Sequence, residues 1–154
     1  MSSTSGSPSS TSSSSLPTNI QEFNQITGVV LSRLYECHPV PLTVQPEDVA
    51  NKLDVSLTAT LPSDRPFKEV FGHTMHWLAS EDYVRPVGDR SVLTAKALAA
   101  MNAVPPALDQ SRGTELVKAS TQASTEEGKN RLIELVGTLF EKAAEGITKG
   151  MLGS

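Results

Sequence analysis

The chain has 154 residues and a formal charge of −4, with a pI near 5.3. That length suits one domain with appendages. A protein that wraps nucleic acid through broad phosphate contact is basic, so any DNA contact here is local or shared between two subunits. The single cysteine, Cys37, excludes an intrachain disulfide and reads as a small buried apolar group in a reducing compartment. No apolar run approaches the roughly 18 residues of a membrane span. No basic residue precedes Arg33 and no apolar stretch follows Met1, so a secretory signal is not expected. These features predict a soluble protein, cytoplasmic or nucleoid-associated, without a membrane partner.

Residues 1–17 are mostly serine and have little apolar surface to offset the entropy of ordering, which predicts a disordered leader. A first helix is predicted over residues 20–37. Asn19 and Glu22 have the spacing of an N-cap and its reciprocal N3 partner. Ile20, Phe23, Ile26, Val30 and Leu34 recur at helical spacing, and Pro39 ends the run. The segment from Pro41 to Val44 is β-leaning and suits a strand added to a later sheet. Pro46 opens a short second helix with Glu47 and Asp48 in its first turn.

Ser63 or Asp64 is placed to cap a third helix with Pro66 in its first turn. Phe67, Val70, Phe71, Met75 and Leu78 form its inner stripe, and Trp77 beside them is expected in the core. A hairpin follows, with strands near residues 83–87 and 90–93 around Gly88-Asp89. Thr94 caps a fourth helix that Pro105-Pro106 stops. Residues 106–124 read as a linker containing a possible short helix at 114–120. Residues 125–154 read as an amphipathic terminal helix with a stripe of Leu132, Ile133, Val136, Phe140, Ala143 and Ile147. The fold class is therefore mostly α with a small β element, an α+β domain over residues 18–105 with a C-terminal helix.

The run Leu78, Glu81, Tyr83, Val84, Arg85, then Leu93, Thr94, Lys96 and Leu98, in this element order, resembles the winged helix-turn-helix superfamily over residues 19–104. Two departures are a long connection before the third helix and Asp82, which stands where a glycine often precedes the wing strand. The resemblance implies that the third helix enters a major groove while the hairpin, the wing, touches the flanking backbone. The implied DNA-binding residues are Arg65, Lys68 and His73 on and before that helix, Arg85 and Arg90 on the wing, and Lys52 on the second helix. Arginine suits bidentate contact with guanine, and lysine suits phosphate.

Residues 19–104 carry ten Asp and Glu against seven Lys and Arg, a balance that leaves a second reading open. The first is a DNA-binding transcriptional regulator. It is expected to be a homodimer through Leu132, Ile133, Val136, Phe140 and Ile147, so that two weak basic footprints add. The second is a winged-helix module that binds protein. The terminal helix itself has three readings: packing on its own domain, pairing with a second copy, or docking in a partner's groove.

No catalytic chemistry is expected. His73 and His76 with Glu69 have a spacing that brings ligands to one face, yet no second Cys or His cluster supports a metal site. Cys37 and His38 are adjacent on a helix end and do not face each other. Phosphate loops and nucleophile elbows are absent from the sequence. The chain is expected to be neither an enzyme nor a cofactor carrier.

Overall fold

A computed structural model describes residues 16–153, and side-chain packing as far as Glu145. Six helices and one two-stranded antiparallel sheet follow in the order α1 (Thr18–Cys37), α2 (Pro46–Leu53), α3 (Phe67–Ser80), β1 (Val84–Val87), β2 (Arg90–Leu93), α4 (Ala95–Asn102), α5 (Arg112–Ser120) and α6 (Glu126–Gly153). The fold is thus α+β and mostly helical. Of the serine-rich segment, residues 1–15 lie outside the described residues. Leu16 and Pro17 lead directly into α1, and the Leu16 carbonyl accepts a hydrogen bond from Gln21 Nε2 at 2.8 Å.

Helix α1 is the axis of the molecule. Burial extends beyond its apolar stripe: every residue from Ile26 to Ser32 is buried, Thr27, Gly28 and Ser32 included. The reason is that α2, α3, β2, α5 and α6 all pack against it. Small residues on its far side let a second layer approach: a Cβ on Gly28 would stand 2.8 Å from Leu132 Cδ2 of α6. A helix apolar on one face and small on the other can be enclosed from both.

That enclosure corrects the domain reading. Residues 106–124 are not a linker. Ser111 caps α5 by accepting from the Thr114 amide at 3.1 Å, and α5 packs on both α1 and α6 with Leu116 and Ala119 in the core. Helix α6 completes the same core through Leu132, Leu135, Val136 and Leu139. Its start at Thr125 follows the expectation, with Thr125 Oγ1 accepting from the Gly128 amide at 3.0 Å. The second half of the chain is therefore continuous with the first.

Local chemistry explains the other boundaries. The expected Asn19–Glu22 cap does not form: α1 starts at Thr18 without a side-chain cap. Glu22 instead turns away from its own helix to the connection before α3, where its carboxylate accepts from the Ser63 amide at 2.8 Å and from Ser63 Oγ at 2.5 Å. Ser63 is thereby engaged and does not cap α3. Nor does Asp64, which sits at positive φ within the turn. Pro66 precedes α3 rather than joining it.

Asp82 closes α3. It adopts the left-handed conformation at φ 66°, donates its amide to the Ala79 carbonyl at 3.2 Å, and is followed by Tyr83, whose amide reaches Leu78 at 2.8 Å. These two bonds make a Schellman termination. Asp fills the glycine position because a short polar side chain tolerates that conformation. The hairpin then runs in the register Val84↔Leu93 to Val87↔Arg90, with Gly88 at φ 65° in its turn. Leu42 adds a single bridge to Ser91, through two 2.9 Å hydrogen bonds, where a third strand was expected. Thr94 caps α4 by accepting from the Ala97 amide.

Candidate functional site

Helix α3 buries Phe67, Phe71, Thr74 and Leu78 and so turns the opposite side outward. Lys68, Gly72 and His76 are exposed along one line of that side, with Glu69 and His73 on the next. At one end of this helix stands the Arg65 turn; at the other, the hairpin. The hairpin register sets Arg85, Val87 and Arg90 on one of its faces, since directly opposed residues of antiparallel strands share a side.

Five of the six expected contact residues, Arg65, Lys68, His73, Arg85 and Arg90, are exposed; Lys52, in the last turn of α2, is half-buried. Arg65 is paired with Glu69 across one helical turn at 3.1 Å. No ion pair engages Lys52, Lys68, Arg85 or Arg90 among the described residues. The positive groups are thus mostly available, although one of them is answered by an acidic neighbour.

Arg65 and His73 meet in an open groove of about 410 Å³ between the start of α1 and α3. Glu22 and Phe23 form its α1 wall, and Glu69 and Trp77 stand on the α3 side. Lys68 is not among the lining residues, nor are the hairpin arginines. The structure therefore gathers the expected residues into a groove pair, a helix face and a hairpin face.

No protein-family model, curated protein or solved structure matches the chain.

Trp77 and Ile20 are residues the sequence placed wrongly, each 38 % exposed. Trp77 was expected in the core. It lies one residue off the buried line that ends at Leu78, and at 100° per residue that offset carries it to the rim. There it meets Phe23 edge-on at 5.1 Å, Phe140 at 5.5 Å, and stacks on Tyr83 at 5.9 Å. Lys96 Nζ sits 4.2 Å over the Tyr83 ring and donates to the Glu81 carbonyl at 2.8 Å. Burial, and then the Glu81 charge, raise the Tyr83 hydroxyl above its ordinary value. The offset of Trp77 by one residue from the Phe67–Leu78 stripe was the one available signal for a rim position.

The expected dimer seam needs correction. Leu132, Ile133 and Val136 are each no more than 1 % exposed within a single chain, because α6 turns this face onto its own body. Phe140 is half-buried in the aromatic group with Phe23, Trp77 and Tyr83. Ile147 lies outside the described side chains. Of the three readings of the terminal helix, packing on its own domain is the one observed for these residues.

Cys37 is half-buried and free. Among the described residues no three His, Cys, Asp or Glu side chains come together as a metal site, and no described helix is long and apolar enough to cross a membrane.

Proposed function

We propose that the chain is a DNA-binding protein of winged-helix type, a transcriptional regulator in which α3 enters the major groove and the β1–β2 hairpin acts as the wing. The observation that carries this reading is the outward face of α3, free along its length and followed directly by a hairpin with Arg85 and Arg90 on one side. Lys68 and His73 meet the groove or its phosphates, Arg85 and Arg90 meet the flanking backbone, and Lys52 supplies a phosphate contact from α2. Arg65 contributes once it exchanges Glu69 for phosphate. Such an exposed pair is worth little, about 0–1 kcal/mol, so the exchange is cheap.

A few phosphate contacts on an acidic protein make binding modest and strongly salt-dependent. Fluorescence anisotropy of mixed-sequence duplexes across a salt series tests this. Binding at low salt with log K falling against log salt by about 0.9 per phosphate contact is the expected result. No binding at low salt, or a flat slope, overturns the proposal.

The Arg65–Glu69 pair and the half-exposed Trp77 favour a second reading, a winged-helix module that docks a protein in the α1–α3 groove. Binding partners that survive nuclease treatment would support it; loss of every partner after nuclease would not.

A further inference from the structure

Arg112 is the first residue of α5 and only 6 % exposed. Its Nε and Nη1 are fully enclosed without a hydrogen-bond partner. No carboxylate among the described residues lies within ion-pair distance of it. A buried guanidinium in this state is costly, since a charge withdrawn from water is stabilised only by hydrogen bonds and an opposite charge. It is also rare enough to require a reason.

The side chain lines a cavity of about 350 Å³ between the α4–α5 connection and α6. Pro105, Ala107, Leu108 and Leu135 make most of its wall apolar. The second cation there, Arg131, is already held between two carboxylates, Glu115 at 3.4 Å and Glu134 at 3.6 Å. Arg112 is therefore the uncompensated charge of the cavity. It also lies at the N-terminus of its helix, where the backbone dipole adds to the positive potential. An apolar pocket of this volume with one unanswered cation fits a small ligand with one negative charge and a hydrocarbon body.

We propose that this cavity binds a small carboxylate with an apolar tail, its head taken by Arg112 and its tail by Leu108 and Leu135. The site is independent of the α3 face, and its occupation tests nothing about DNA. Guanidinium meets carboxylate through N–H donors, and the head meets Arg112 where its side chain lines the cavity. The same logic assigns Arg112 a role opposite to that of a structural ion pair: replacing it with an apolar chain of similar length removes a buried charge and leaves the fold as stable or more so.

Calorimetric titration of the full chain with sodium octanoate tests the site, with octanol and inorganic phosphate as comparisons. Saturable octanoate binding is expected with a dissociation constant on the order of 0.1 mM, a reasonable value for a ligand of this size. Octanol and phosphate should each bind at least about tenfold more weakly, lacking the charge or the tail. Arg112→Met should weaken octanoate binding by at least about tenfold while its unfolding temperature stays equal or rises. Should Arg112→Met fail to fold, the Arg112 Nε–H resonance of the unaltered chain decides: a shift on adding octanoate supports the proposal, and an unmoved resonance overturns it. Absence of saturable octanoate binding, equal affinity for octanol, or undiminished binding by a folded Arg112→Met chain also overturns it.

Discussion

At position 22 a carboxylate only 6 % exposed holds both the amide and the hydroxyl of Ser63. Glu22→Ala strands that amide in a half-buried turn and should cost about 1–3 kcal/mol, read as a lower midpoint in urea; an unchanged midpoint would mean the turn does not depend on the carboxylate. Tyr83 gives a pH-dependent counterpart. Burial raises its hydroxyl pKa, so the folded state holds the proton more tightly than the unfolded chain. The resulting stability is fully present below the unfolded value of about 10 and is lost as pH rises through the folded value. In Tyr35→Phe, which leaves Tyr83 as the one tyrosine, phenolate absorbance should appear with a midpoint above 10.0, the ordinary value, and a midpoint at or below it would contradict the burial. At this scale the sequence told residue type better than residue partner. Glu22 had the spacing of a local cap, and a contact 41 positions away took it instead. No local pattern encodes such a contact.

Between elements, α1 and α3 make opposite demands on small residues. Gly28 faces α6, with a Leu132 methyl 2.8 Å from the position of a Cβ. Gly72 looks outward from α3 with nothing within 4 Å. Gly28→Val should therefore overpack the α1–α6 contact and cost about 1–3 kcal/mol, whereas Gly72→Ala should gain about 0.5–1 kcal/mol through helix propensity alone. Thermal unfolding of the two variants checks both signs; a destabilised Gly72→Ala would show that the α3 face is covered. The helices and the hairpin were legible because their signals are local: Pro46 opening α2, Thr94 capping α4, and Gly88 with its positive φ between two short strands. The Schellman bonds at Asp82 also show why a missing glycine need not break the pattern. By contrast α5 was read as part of a linker, because its nine residues are rich in small and polar types. Its burial comes from being wedged between α1 and α6, which only tertiary structure supplies.

Across the whole molecule, the core is shared by both halves of the chain. Leu116, Leu132, Val136 and Leu139 enclose the same α1 that Val49, Phe67 and Leu78 cover from the other side. A chain ending at residue 105 should therefore fail to unfold cooperatively, since α1 would be left with its second face in water. Calorimetry of that fragment measures this, and a sharp transition would restore the view of an independent domain over residues 18–105. The same burial shows why a dimer seam through Leu132, Ile133 and Val136 could not be told from a core by periodicity: an apolar stripe has one pattern whether it faces its own body or a second copy. The surface proposed for DNA recognition is the α3 face, the groove beside it and the hairpin. Amide chemical-shift mapping on titrating a mixed-sequence duplex at low salt tests that assignment most directly. Shifts concentrated at Lys68, Gly72, His73 and His76 and at the turn between Arg85 and Arg90 are expected. Shifts confined to α5 and α6, or none at all, would contradict it.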